Sequence, residues 1–206
     1  MSDIAAIMQL APVIPVLTVE HVADAQPLAE ALVAGGLRAL EITLRTPAAL
    51  DVIRAMKDVE GAVVGAGTIL TPKHLDAAFQ AGARFIVSPG LTEGVAEEAG
   101  VAGVPLLPGV ATATEVMRGL DLGLTHFKFF PAEQAGGASM LKAFVGPFAA
   151  ARFCPTGGVS PGNAASYLGL PNVLCVGGSW IATPELIAAG AWAEITARAR
   201  AAAALR

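Results

Sequence analysis

Apolar and polar positions along this chain fall into two alternating rhythms. Short runs rich in β-branched and aliphatic residues recur at 13–18, 38–44, 62–68, 84–89, 104–109, 125–130, 151–156 and 173–177. Each has the length and composition of a buried strand. Between them apolar residues return at helical spacing among Ala, Leu and charge, as in 22–34, 47–58, 72–81 and 184–204. The punctuation agrees. Thr46-Pro47, Thr71-Pro72, Ser160-Pro161 and Thr183-Pro184 each set a hydroxyl N-cap before a proline at the first helical position. Thr112 and Glu115 have the spacing of a capping box. Gly35-Gly36, Gly82, Gly103 and Gly123 stand just before the next strand, where a helix C-cap belongs.

Strands alternating with single helices require parallel strands and right-handed crossovers. Eight such units predict a (β/α)8 TIM barrel. The competitor, an open doubly wound sheet, lacks its dinucleotide fingerprint here. At 206 residues the loops must be tight, and residues 1–206 form a single domain. Residues 1–10 are expected as an extra N-terminal helix capping the bottom of the barrel.

Composition narrows the class. Hydrophobic residues make up 54% and charged residues 15%, as in a globular chain and not a disordered one. No uninterrupted apolar stretch is long enough for a membrane span. Met1-Ser2-Asp3 is acidic where a secretory signal would be basic. Cys154 and Cys175 make neither a disulfide framework nor a metal-ligand pattern, so they are expected as reduced core residues of a cytoplasmic protein. A net charge of −4 without a basic cluster argues against a nucleic-acid partner. His21, His74 and His126 are scattered, which argues against a catalytic metal. Low charge and a mean hydropathy of +0.62 point to a subunit interface.

Against this apolar background a few polar residues stand out. In Leu40-Glu41-Ile42-Thr43-Leu44-Arg45, the leucines and isoleucine share one face, directed at the helices, while Glu41, Thr43 and Arg45 share the inward one. Opposite charges there are costly unless paired or functional; a structural Glu41–Arg45 ion pair is the alternative. In His126-Phe127-Lys128-Phe129-Phe130-Pro131, parity sends Lys128 inward with His126 and Phe130. Such a lysine either snorkels to a wet strand end or serves as an amine nucleophile toward a carbonyl. Gly65 and Gly67 admit a close neighbour beside Thr68, at the strand end. Thr156-Gly157-Gly158 and Gly177-Gly178-Ser179 end the last two strands, where such barrels recurrently bind phosphate.

The six segments Leu40–Thr46, Gly65–Thr68, Ser88-Pro89-Gly90, Phe127–Glu133, Phe153–Gly158 and Gly177–Trp180 occur in register. Together they resemble the KDPG/KHG class I aldolases, over about Pro12 to Trp180. The resemblance implies a Schiff-base lyase that cleaves 2-dehydro-3-deoxy-6-phosphogluconate to pyruvate and glyceraldehyde 3-phosphate in the Entner–Doudoroff pathway. It implies that Lys128 is the nucleophile and Glu41 the proton shuttle, and that Arg45 grips the substrate carboxylate. Thr68, Pro89 and Phe130 would line the pyruvate pocket; Gly157, Gly158, Gly178 and Ser179 would hold the phosphate. It implies a homotrimer without metal or organic cofactor. Other readings stay open: cleavage of 4-hydroxy-2-oxoglutarate or of the galactonate-series substrate, a phosphosugar isomerase or epimerase in which Lys128 acts only as a charge, and a non-catalytic phosphate-ligand binder.

Overall fold

In the computed structural model, which describes residues 3–205, strands and helices alternate along the chain. A short helix α1 (Ile4–Met8) precedes β1 (Val13–Leu17). A 3-10 turn at Val22–Asp24 leads into α2 (Ala25–Ala34), then β2 (Ala39–Thr43), α3 (Ala49–Met56), β3 (Val63–Gly67), α4 (Pro72–Ala81), β4 (Ile86–Val87) and α5 (Glu93–Ala102). The chain continues through β5 (Leu106–Leu107), β6 (Gly109–Val110), α6 (Ala113–Asp121), β7 (His126–Phe129), α7 (Gly137–Phe144) and β8 (Arg152–Pro155). It ends with α8 (Ala164–Leu168), β9 (Val176–Gly178), α9 (Pro184–Ala188) and α10 (Trp192–Ala203).

All strand pairs are parallel, in two curled sheets of order β5-β4-β3-β2-β1-β9 and β6-β7-β8. The run predicted at 104–109 is two short strands, because Pro108 has no N–H to give the ladder. Leu106 and Leu107 pair with Ile86 and Val87; Gly109 and Val110 pair with Lys128 and Phe129. Isolated parallel bridges, Phe153–Val173 and Thr156–Gly177, join β8 and the chain beyond it to β9 and the residues before it.

Helix ends follow the cap chemistry in part. The Thr71 hydroxyl accepts the His74 N–H at 3.2 Å, and Gly82 and Gly103 close α4 and α5 in the left-handed region. At α6 the capping box is complete: Thr112 accepts the Glu115 N–H, and Glu115 Oε2 accepts from the N–H groups of Ala111 and Thr112 and from the Thr112 hydroxyl. Burial alone would raise the Glu115 carboxyl, but those donors outweigh it and hold it below its ordinary value. Two expected starts are displaced. The Thr46 hydroxyl donates to the Val19 carbonyl at 2.7 Å, so α3 begins at Ala49 and not at Pro47. The Ser160 N–H is taken by Asn163 Oδ1, and α8 begins at Ala164. The helix predicted over 184–204 is broken at Gly190, whose φ of +60° leaves the helical region.

Strand parity sorts the apolar residues into two layers. Leu17, Leu40, Ile42, Val64, Ala66, Ile86, Phe127, Phe129 and Phe153 face the helices in one continuous core. Phe144 anchors this side, with ring centroids 5.2 Å from Phe148, 5.9 Å from Phe153 and 6.3 Å from Phe129. The other faces of the strands supply Ile14, Ala39, Phe85, Val87, Leu107, Cys154 and Cys175, joined by Ile4, Ile7 and Met8 of α1. Both cysteines are buried and outside any disulfide. No helix among the described residues is long and apolar enough to cross a membrane.

Candidate active site

The inner face of β2 carries Glu41 and Thr43, both buried, as the alternation of residues 40–45 requires. Thr43 donates to the Leu17 carbonyl at 2.9 Å and lies 3.0 Å from the Thr18 hydroxyl, which ties β2 to the end of β1. Glu41 reaches instead across the interior. Its Oε1 accepts a hydrogen bond from Lys128 Nζ at 3.3 Å, and both side chains are about 95% withdrawn from solvent, with exposures of 4% and 6%. Lys128 therefore does not snorkel to water; its charge is met inside the protein. The alternative weighed from the sequence, a Glu41–Arg45 ion pair, is not the contact formed.

A glycine makes room for this contact. Gly67 is the register partner of Thr43, and a methyl placed on it would stand 2.7 Å from Glu41 Cδ and collide with Oε1 as well. The Glu41 carboxylate thus occupies the space of the side chain that residue 67 lacks. The next residue, Thr68, has φ of +61°, an uncommon conformation for a β-branched residue that costs on the order of 1–3 kcal/mol. It receives a hydrogen bond from Arg45 Nε at 3.3 Å. Arg45 is exposed in the turn that follows β2, so its guanidinium sits beside Thr68 with donors to spare.

On the far wall, the Phe130 ring lies 5.2 Å from Lys128 Nζ, and Lys128 faces Gly109 and Cys154 in register. Gly109 has the Pro89 carbonyl against it so closely that any side chain would overlap it, which brings Pro89 beside the lysine strand. The Ser88 hydroxyl donates to the Gly90 carbonyl at 2.8 Å and closes that turn. His126, a face-mate of Lys128, opens the strand at its other end, where burial holds its imidazole below the usual range; Asp3 opposes this and Arg152 adds to it.

The glycine pairs adjoin this pocket. A Cβ on Gly157 would lie 3.3 Å from the Phe130 ring, so the turn after β8 abuts the aromatic wall of the lysine. Gly157 and Gly158 have φ of +99° and +77°, two successive left-handed residues. Thr156 bridges to Gly177 and fills the space over it, and the Trp180 ring covers Gly178. Ser179 is exposed at the end of β9. The site residues read from the sequence are thus connected through Gly67, Phe130 and Thr156. Sequence reasoning missed Gly67 as the seat of Glu41, the Gly109–Pro89 contact, and the side chains of Glu133, Asn163 and Tyr167 beneath the glycine turn. Glu133 stood inside a quoted motif; nothing local distinguished the others.

A buried amine against a carboxylate, with a guanidinium and left-handed glycine N–H groups at the rim, is equipped for a carbonyl substrate that carries anionic ends. No cluster of three or more His, Cys, Asp or Glu that could hold a metal ion occurs among the described residues.

The family model described as KDPG and KHG aldolase matches residues 4–198. A protein named 2-dehydro-3-deoxy-phosphogluconate aldolase from Zymomonas mobilis is 59% identical over 181 residues, 88% of this chain and 87% of the relative. The crystal structure of the 2-keto-3-deoxy-6-phosphogluconate aldolase of Zymomonas mobilis ZM4 with 3-phosphoglycerate superposes with a TM-score of 0.93 at 55% identity, covering 99% of this chain and 96% of that one. A KDPG aldolase from Legionella pneumophila, with pyruvate captured at low pH as a covalent carbinolamine, gives a TM-score of 0.94 at 45% identity over 98% and 99% of the two chains. A pattern that begins with one lysine among aromatics ends in a full-length match: this chain belongs to the KDPG and KHG aldolase family.

Proposed function

We propose that this chain is a class I aldolase that cleaves 2-dehydro-3-deoxy-6-phosphogluconate reversibly to pyruvate and glyceraldehyde 3-phosphate, the aldol step of the Entner–Doudoroff pathway. The observation that carries this reading is the buried 3.3 Å contact between Lys128 Nζ and Glu41 Oε1. The carbinolamine in the Legionella pneumophila relative and the phosphorylated acid in the Zymomonas mobilis one support it.

Lys128 passes a proton to Glu41 across their contact and its free amine adds to the C2 carbonyl; Glu41 returns that proton to the carbinolamine hydroxyl, which leaves as water and gives a protonated imine. Glu41 takes the C4 hydroxyl proton as the C3–C4 bond breaks. That electron pair flows into the iminium and leaves an enamine, while C4 departs as the aldehyde carbon of glyceraldehyde 3-phosphate. Protonation at C3 and hydrolysis then release pyruvate and restore the amine. The iminium is the electron sink, so the reaction calls for no metal or organic cofactor. Arg45 holds the C1 carboxylate, for which its forked donors suit. Thr68, with Pro89, borders the pyruvate end, and Phe130 is the apolar wall that keeps water from the imine. Gly157, Gly158, Gly178 and Ser179 take the 6-phosphate, where helix and turn N–H groups favour an anion. Because 4-hydroxy-2-oxoglutarate needs the same lysine and no phosphate site, its cleavage is a second activity, and the matched family model includes both substrates.

The proposal extends to the architecture. The two sheets are the staves of one eight-stranded (β/α)8 barrel in a single domain of residues 1–206, with Pro108 interrupting its fifth strand. The bridges Phe153–Val173 and Thr156–Gly177, and an ion pair that spans the interior from β2 to β7, support closure. Residues 1–10 cap its lower end; Ile4–Met8 are helical there, while Met1 and Ser2 lie outside the described residues. Exposed apolar side chains such as Leu70, Val101 and Met117 support a homotrimer, and the reduced cysteines support a cytoplasmic location.

Borohydride reduction in the presence of pyruvate, followed by peptide mass spectrometry, tests the reaction. A reduced pyruvyl adduct on the peptide that contains Lys128 is expected. Folded protein that stays unmodified at saturating pyruvate would overturn the Schiff-base reading and favour the isomerase or epimerase. Ser179→Asp tests the phosphate end. Like charges in contact near a protein surface repel by up to about 4 kcal/mol, and about a third of that already raises KM for the phosphorylated substrate roughly tenfold, the rise expected here. Turnover of unphosphorylated analogues should hold. An unchanged preference between the two in steady-state kinetics would remove Ser179 from the phosphate site.

A further inference from the structure

The glycine turn after β8 is aimed by groups that the reaction does not otherwise use. The Ala132 N–H donates to the Thr156 carbonyl at 2.8 Å, the Glu133 N–H to the Gly157 carbonyl at 3.1 Å, and Asn163 Nδ2 to the Gly158 carbonyl at 3.0 Å. In a trans peptide the carbonyl and the following N–H point in opposite directions. Turning three successive carbonyls into the scaffold therefore turns the N–H groups of Gly157, Gly158 and Val159 away from it. The Gly157 N–H is turned toward β9, where Thr156 bridges to Gly177, while the Gly158 N–H has no protein acceptor among the described residues.

Glu133 is the principal support. Its stem packs directly against Gly158, with Cγ 2.5 Å and Cβ 2.8 Å from the position a Gly158 Cβ would take. Its carboxylate is the wrong charge to have beside a bound dianion, and a free carboxylate at this distance would compete for the same N–H donors. It is restrained: Oε1 accepts a hydrogen bond from the hydroxyl of Tyr167, a fully buried residue of α8. Burial, then the hydrogen bond and charge of Glu133, push the Tyr167 phenol well above its ordinary value, so it stays a donor throughout the neutral range. The helix that follows the turn thus holds back the carboxylate packed beside it.

We propose that Tyr167 and Glu133 are a positioning pair that sets the selectivity of this aldolase for phosphorylated over unphosphorylated substrates. Tyr167 orients the Glu133 carboxylate away from the Gly158 N–H group while the Glu133 stem props the turn. The inference rests on the assignment of that turn to the 6-phosphate.

Tyr167→Phe and Glu133→Gln, each compared with wild type, test it. The substrates are 2-dehydro-3-deoxy-6-phosphogluconate and its unphosphorylated analogue, and pyruvate methyl-proton exchange in deuterated water serves as a phosphate-independent half-reaction. Tyr167→Phe keeps the ring in the core and frees the carboxylate. It should raise KM for the phosphorylated substrate about tenfold, the usual scale for a hydrogen bond to a charged group. Values of kcat, the unphosphorylated kcat/KM and pyruvate exchange should stay within about twofold. Glu133→Gln keeps an acceptor for Tyr167 and removes the competing charge, so its selectivity should match or exceed wild type. A proportional loss on both substrates and in exchange would mean that the pair only stabilises the fold, and would overturn the proposal. So would a Tyr167→Phe enzyme that keeps the full wild-type preference. A wild-type enzyme indifferent to the phosphate would overturn the phosphate assignment of the turn itself, and the role of the pair with it.

Discussion

Lys128→Met is expected to abolish aldol cleavage while the chain still folds. Methionine is unbranched and of similar reach, so it can lie along the Phe130 ring, but it has no amine to add to a ketone. The change has a cost. It leaves the Glu41 carboxylate buried without its partner, and breaking such a pair typically destabilises by about 3–5 kcal/mol. The variant should therefore melt at a lower temperature than wild type, with an unchanged far-UV circular dichroism spectrum at 25 °C. Lys128→Arg separates charge from chemistry, since a guanidinium still faces Glu41 but does not lose its proton in a protein. It should be as inactive as the methionine variant and retain more stability. Cleavage surviving in both would sink the imine mechanism.

The second large effect belongs to Glu41. Glu41→Gln preserves shape, fits against Gly67 and accepts from Lys128 through its amide oxygen, yet it cannot carry a proton between intermediates. Loss of a positioned general acid–base group typically costs about 10²–10⁴-fold in rate, and kcat should fall within that range. Pyruvate should still be trapped by borohydride on Lys128, more slowly, because addition needs the amine and not the carboxylate. Pyruvate methyl-proton exchange should fall in parallel with kcat. If exchange held at the wild-type rate while cleavage fell, proton transfer at C3 would belong to another group, and the shuttle role of Glu41 would be lost.

Much of the site could be read along single strands. The alternation in residues 40–45 and 126–130 told which side chains enter the interior, and Glu41, Thr43 and Lys128 lie buried there. Cap chemistry was readable where the partners lie three residues apart, as at Thr71 and Thr112. It misled where a distant acceptor outcompeted the local one. The Thr46 hydroxyl prefers the Val19 carbonyl, a contact between residues 27 apart, and the helix starts later as a result. Pro108 was visible in the sequence, but its division of one predicted strand between two partners depends on which ladders flank it. The contacts that aim the functional groups were the least legible. Gly67 matters through a side chain on the neighbouring strand, and Tyr167 meets Glu133 across 34 residues. A glycine motif announces that something comes close; only the assembled fold says what.

The ion pair at the centre of the site joins residues 87 positions apart, one from each half of the chain. In the proposed mechanism neither half holds both the amine and its proton carrier, so a nascent or truncated polypeptide that lacks either segment should be chemically silent however much local structure it has acquired. Recovery of turnover after dilution from denaturant therefore counts finished molecules only, and the enzyme carries in its own reaction a gauge of its assembly.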